Sequence, residues 1–251
     1  MNNNTISTGI PQLDLITGGF MPPELVILAS RPSSGKTSLA LAMVRHIAIE
    51  NNFPVGFLSL EMETSNLKQR LLAQEAMIPL AALRENEISE SNVVKLNEKQ
   101  ERLSNAPIYI NDDCQIAKTD MYSWIKRMVS ENAVKIIFID YLGLIRNEDN
   151  SITIHEHKTA ILVELKNMAQ ELGIAIIALD QINRDLNNSH AQRQLEIKAE
   201  QADTVLLLDG ALEEHSFKSC KRLLHIIKHR DKPQSKIIEL PFRVEIPAFS
   251  R

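Results

Sequence analysis

Two runs of residues constrain this chain more than anything else in it. Val134-Lys135-Ile136-Ile137-Phe138-Ile139-Asp140 and Ile174-Ala175-Ile176-Ile177-Ala178-Leu179-Asp180 are apolar at successive positions rather than at alternate ones. A strand reads that way when both of its faces are covered, as in a parallel sheet between layers of helices. The rest of the sequence keeps the same rhythm. Strands are expected at 24–29, 55–60, 107–111, 134–140, 174–180, 203–208, 223–228 and 236–241, and helices at 36–50, 64–77, 90–103, 119–131 and 156–172. This alternation specifies an α/β fold with a mostly parallel central sheet flanked by helices. After residue 203 the helices stop and short strands follow closely, so antiparallel strands are expected near the C-terminus. With 251 residues and no repeat or linker-like stretch, residues 1–251 read as a single domain.

The most specific motif lies at the first strand-to-helix turn. Leu25-Val26-Ile27-Leu28-Ala29 leads into Ser30-Arg31-Pro32-Ser33-Ser34-Gly35-Lys36-Thr37-Ser38, and Leu39-Ala40-Leu41-Ala42-Met43-Val44 continues as a helix. Strand, tight loop and Gly-Lys-Thr opening a helix form the context of a phosphate-binding P-loop. Backbone N–H groups of the loop and the helix N-terminus then converge on a phosphate, and the helix dipole favours its charge. Ser30 through Ser38 are the expected nucleotide-binding residues. Lys36 would reach the β- and γ-phosphates, and the Thr37 hydroxyl would ligate Mg²⁺ beside ATP. The first glycine of the motif is replaced by Ser30, a small residue.

Other strand ends supply the remaining chemistry. Asp140 closes a buried run and suits the second acidic element that orients a Mg²⁺ water shell, rather than a simple turn or cap. Tyr141 follows it, so the carboxylate that polarises an attacking water comes from elsewhere. Glu61, after Val55 to Leu60, is the natural candidate. Glu63 is its rival, and either could start the next helix, where Thr64 and Ser65 look like N-caps. Gln181 follows Asp180 and is either a γ-phosphate sensor or a solvent-facing amide. Lys228-His229-Arg230 closes a late strand; alone it is a basic surface cluster, but in a ring a guanidinium can reach a neighbouring subunit's nucleotide. His155 and His157 flank Glu156 without further ligand spacing, and are expected as exposed loop residues rather than metal ligands.

Bulk properties exclude several classes. No apolar stretch approaches a membrane span, and Met1-Asn2-Asn3-Asn4 is no signal peptide. Cys114 and Cys220 have no metal or redox spacing, which suits a reducing cytoplasm. A net charge of −4 argues against a globally basic nucleic-acid binder. Residues 215–236 nevertheless carry seven Lys or Arg against one acid, Asp231, and read as a local basic face or a plain solvated one.

Taken together, these residues resemble the C-terminal motor domain of DnaB-type replicative DNA helicases, RecA-like P-loop ATPases. The resemblance rests on Arg31 to Thr37, Ser59-Leu60-Glu61-Met62, Ile139-Asp140-Tyr141-Leu142-Gly143-Leu144, Gln181-Ile182-Asn183-Arg184, Glu200-Gln201-Ala202-Asp203 and Lys228-His229-Arg230. They occur in family order from about Ser7 to Phe242. It implies ATP and Mg²⁺ as cofactors, Glu61 as catalytic glutamate, Gln181 as sensor, and Lys228 with Arg230 as trans-acting fingers. It further implies single-stranded DNA as partner, self-association into a ring, a hexamer when assembled, and replisome or loader proteins. A non-glycine at the first P-loop position is tolerated in the family.

The chain also departs from the family pattern. The sequence reads as starting directly at the motor, so an N-terminal helical domain and the linker helix that docks on the adjacent subunit are expected to be absent, and the isolated chain is expected to be mainly monomeric and weak at unwinding. The phosphate-gripping Asp-Leu-Arg-Glu-Ser-Gly stretch is missing from the loop after Gln181, where Arg184, Arg193 and Lys198 are the candidate DNA contacts. Asp180 stands where the family usually has Ser. Alternatives are a recombination or repair ATPase that works on DNA without unwinding it, and an accessory nucleotide-binding subunit with little turnover.

Overall fold

The computed structural model describes residues 5–145, 154–182, 200–210, 219–231 and 236–249. Its centre is β1 (Glu24–Ser30), buried along its whole length. The other strands are β2 (Val55–Ser59), β3 (Ile108–Asn111), β4 (Ile136–Asp140), β5 (Ala175–Gln181), β6 (Thr204–Gly210), β7 (Ser219–His229), β8 (Lys236–Arg243) and β9 (Ala248–Phe249). They form one sheet in the order β3-β2-β4-β5-β1-β6-β7-β8-β9. From β3 to β6 every pairing is parallel; β6 to β9 pair antiparallel. The expected α/β class and the antiparallel C-terminal strands are both present.

Alternation sorts each central strand between two cores. Val26 and Leu28 of β1, Phe57 of β2, Phe138 of β4 and Ile177 of β5 pack on one face with α1 (Pro11–Thr17), α2 (Lys36–Val44) and α3 (Thr64–Ala76). Leu25 and Ile27, Leu58, Ile137 and Ile176 pack on the other with α6 (Lys118–Asn132) and α7 (Ile154–Leu172). Both faces are therefore apolar, as the uninterrupted runs require.

The differences from expectation are local. The helix expected over 36–50 changes at Arg45 into a π-helical turn, Arg45–Glu50. Two short helices, α1 and α4 (Leu80–Glu85), have no counterpart among the expected ones. Between α4 and β3, α5 (Glu90–Asn105) contributes no buried residue. Neither Thr64 nor Ser65 caps α3. Glu63 holds the N-cap position without a side-chain bond to the helix backbone, and Asp112, from the loop after β3, accepts the Thr64 N–H at 2.7 Å. His157 is not an exposed loop residue: it lies in α7 and is buried. Burial, then nearby Lys118, hold its pKa below the usual histidine value. No cluster of three or more potential metal-ligating side chains occurs among the described residues, and none of their helices is long and apolar enough to cross a membrane.

Candidate active site

Because β1, β2, β4 and β5 are parallel, their C-terminal ends share one edge of the sheet, where open α/β sheets bind ligands. Register then fixes the neighbours. Ser30 pairs with Gln181, and Ser59 with Asp140. The period of two sends the side chains of Ser30, Asp140 and Gln181 to the α2 face and that of Asp180 to the opposite face, toward α7. Asp180 is buried there, 3.5 Å from Lys158 Nζ, and accepts the Gln181 N–H at 2.8 Å.

The P-loop joins β1 to α2. Gly35 has φ +93°, in the left-handed region, and forms the N-cap of α2, so a side chain there would be strained. All nine positions from Ser30 to Ser38 line a cleft of about 480 Å³, together with Glu61 and Gln181. Glu63 is not among the lining residues. Lys36 is buried, with Nζ 3.2 Å from Asp140 Oδ1 and 4.5 Å from the centroid of the Tyr141 ring. Thr37 donates its hydroxyl proton to Asp140 Oδ2 at 2.6 Å.

Asp140 provides a test for a cation. It is 1 % exposed, and its Oδ1 has no hydrogen-bond donor among the described residues despite the nearby ammonium. A buried carboxylate oxygen left without a donor is costly unless a charge completes its shell. Lys36, the Thr37 hydroxyl and Asp140 thus fit a phosphate-bound Mg²⁺. Burial, followed by the carboxylates of Glu61, Asp180 and Asp140, raises the Tyr141 pKa, which keeps the ring a neutral wall for Lys36.

Four lining residues escape a reading of the sequence. Arg70 of α3 enters the cleft with its Nε buried and unpartnered among the described residues. Burial and Arg84 lower its pKa, and Asp140 and Glu61 oppose that shift. A signal is present: Leu67, Leu71 and Gln74 mark the inward stripe of α3, and Arg70 falls on it at helical spacing. Phe242, Val244 and Pro247 form an apolar wall opposite the loop. They come from β8 and its turn into β9, far from the motif in sequence. Gln74 anchors that wall, donating from Nε2 to the Pro247 carbonyl at 2.8 Å and to the Ser38 carbonyl at 3.2 Å.

Lys228 and Arg230 are elsewhere. The end of β7 pairs with the start of β6, His229 against Thr204, at the N-terminal edge of the parallel strands. Thr204 pairs with Val26 and Asp203 bonds Leu25, four and five positions before Ser30, about 13–17 Å at ~3.3 Å per residue. Lys228 donates to the Ala202 carbonyl at 2.7 Å, and Arg230 Nη1 lies 3.6 Å from Asp203 Oδ1. Arg184, Arg193 and Lys198 fall outside the described residues.

Comparison with known proteins gives the family and the fold. Residues 5–251 match the model of the DnaB-like helicase C terminal domain. The replicative DNA helicase DnaB of Treponema pallidum is 34% identical over 249 residues, covering 97% of this chain and 55% of that protein. That of Pasteurella multocida is 30% identical over 260 residues, with shares of 97% and 55%. The chain thus spans about half the length of the curated relatives it matches. Among solved structures, one ATPase domain superposes with a TM-score of 0.88 at 25% identity, over 100% of this chain and 93% of that one. A DnaB-like replicative helicase, studied with its interactions with primase, gives 0.86 at 27% identity, over 99% and 64%. A KaiC-like protein from Pyrococcus horikoshii shares the fold at 0.66 and 22% identity, over 98% and 97%. The chain therefore has the RecA-like ATPase fold and belongs to the family of DnaB-like helicase C-terminal domains.

Proposed function

We propose that this chain is the ATP-hydrolysing motor of a cytoplasmic DnaB-type replicative helicase, acting on single-stranded DNA as a ring. One observation carries the reading. The phosphate-binding, acidic and amide groups converge in one cleft, whereas the basic pair Lys228 and Arg230 stands at the opposite edge, too far away to serve that cleft. A site so divided becomes complete only between subunits.

Within the cleft Lys36 holds the β- and γ-phosphates, and Thr37 and Asp140 hold the cation, which when bound neutralises charge building on the phosphates. Glu61 accepts a proton from the attacking water, and Gln181 hydrogen-bonds the γ-phosphate. Arg70 adds a second cation in cis, since its buried Nε otherwise lacks a partner among the described residues. Phe242, Val244 and Pro247 offer the base an apolar surface. The neighbour's Arg230 and Lys228 supply the remaining positive charge.

Lys36→Ala tests the reading at its base. Turnover should vanish and ATP binding weaken sharply; hydrolysis at the wild-type rate would overturn it. The sequence lacks the phosphate-gripping stretch of the family after Gln181, and that favours a second reading, a DNA-stimulated ATPase that does not unwind. Strand displacement on a substrate with a 5′ tail separates the two: ATP turnover without displaced strand supports the second.

A further inference from the structure

The N-terminal edge of the sheet holds a cluster that the cleft does not use. Asp203, directly before β6, is clamped to the start of β1 at two points. Its N–H donates to the Leu25 carbonyl at 2.9 Å, and its Oδ2 accepts the Leu25 N–H at 2.8 Å. Lys166 of α7 donates to the same Oδ2. The carboxylate is 9 % exposed and immobilised by backbone, so whatever its second oxygen touches is held in a fixed place. That oxygen faces Arg230. The preceding residue, Ala202, accepts from Lys228. Both finger candidates are therefore tethered to consecutive residues of one rigid segment.

The approach of β7 is shaped as well. Val205 pairs with Lys228 while Leu206 pairs with Ile226, so Ile227 is an extra residue in the ladder. A bulge at that point twists the strand and re-aims the side chains beyond it. Arg230 keeps its side chain 64 % exposed while its guanidinium lies against Asp203. An ion pair with one partner so exposed is weak in water. It narrows the rotamers of Arg230 yet gives way to a phosphate, with which a guanidinium makes stronger bidentate bonds.

We infer that Asp203, together with the Ala202 carbonyl, is a positioning residue for the trans-acting pair: it presents Lys228 and Arg230 to the adjacent subunit's nucleotide already ordered. The inference rests on Arg230 acting in trans. Asp203 touches no substrate; it acts through Arg230.

The test is a double-mutant cycle in the full chain, at concentrations where subunits associate on single-stranded DNA with ATP. Asp203→Asn keeps the acceptor for Leu25 and removes the charge. DNA-stimulated kcat should fall by about tenfold to 10²-fold, the usual cost of a displaced catalytic group, with KM for ATP unchanged. In an Arg230→Ala background the same substitution should add nothing. Lys166→Met, which removes the structural partner of Asp203 without touching Arg230, should retain the stimulation. If Asp203→Asn does not fold, Asp203→Glu, which displaces the charge by one methylene, is read in the same cycle. Full stimulation in the Asp203 variant, an equal loss in the Arg230→Ala background, or the same loss in Lys166→Met would overturn the positioning role alone. Retained stimulation in Arg230→Ala itself would overturn the trans reading and this inference with it.

Discussion

The two edges of the central sheet are built from the same residue types and do opposite things. At the C-terminal edge Asp140 meets Lys36, which lines the cleft together with Arg70; at the N-terminal edge Asp203 meets Lys166 and Arg230. Asp140 keeps a buried oxygen without a donor among the described residues. Asp203 has both oxygens engaged, by the Leu25 N–H, Lys166 and Arg230. The first edge keeps acceptor capacity that no described donor fills. The second is satisfied and offers an exposed guanidinium outward. Composition alone does not distinguish receptor from donor; the state of the carboxylate's lone pairs does.

Exchanging the loss of one edge for the loss of the other breaks this comparison most severely. Arg230→Ala should leave ATP binding by the isolated subunit intact and lower assembled, DNA-stimulated turnover by roughly 10³–10⁵, about 4–7 kcal/mol of barrier. Arg230→Ala subunits keep a sound P-loop, and Lys36→Ala subunits keep a sound finger. Each is dead alone, yet co-assembled mixtures should regain partial activity wherever a good loop meets a good finger. Mixtures that co-assemble and stay inactive would make Lys228 and Arg230 an ordinary basic surface.

A smaller effect sharpens the receiving edge. Glu61→Gln should retain ATP binding while hydrolysis drops by about 10²–10⁴, the contribution of a positioned base. Glu63→Gln should hydrolyse normally, since Glu63 sits at the N-cap of α3 and outside the cleft lining. The reverse pattern moves the base by two residues.

How much of this is legible in the sequence follows from the range of the forces involved. The apolar runs at Val134 and Ile174 announce strands covered on both faces, because burial acts on every residue of such a strand. Gly35, Lys36 and Thr37 announce the loop because its chemistry is contiguous. Gln181 reads equally as sensor or solvent-facing amide in the sequence, because only its register against Ser30, a contact between distant segments, puts it on the α2 face beside the cleft. Phe242 is invisible as a cleft residue because its partners come from the other end of the chain. The helix α1 carries Pro11 at its start and Gly18 as its left-handed C-cap, but its seven residues are too few to display a period. His157 misleads for the opposite reason: its polar surroundings read as loop, whereas α7 extends back to Ile154 and buries that ring.

The weakest effect probes the offering edge at its root. Glu24, the first residue of β1, is 5 % exposed, and its Oε1 accepts the Met21 N–H at 2.8 Å. Its pKa is raised from 4.5 to about 7, chiefly by burial, with the Asp203 carboxylate adding to the rise; the Met21 N–H, Lys166 and Arg230 oppose it. The folded protein therefore keeps a proton that the unfolded chain releases between those two values. The contribution of Glu24 to stability should decline as pH rises from about 4.5 to about 7 and level off above. Glu24→Gln preserves the acceptor and removes the titration. Its advantage over wild type should be near zero at the acid end and grow to at most about 3.5 kcal/mol above neutrality, at ~1.4 kcal/mol per unit. Denaturant unfolding across this range measures the difference directly. Parallel curves for the two proteins would mean that Glu24 ionises in the fold without penalty, and that the charges beneath Arg230 are balanced by more than Lys166 and the guanidinium itself.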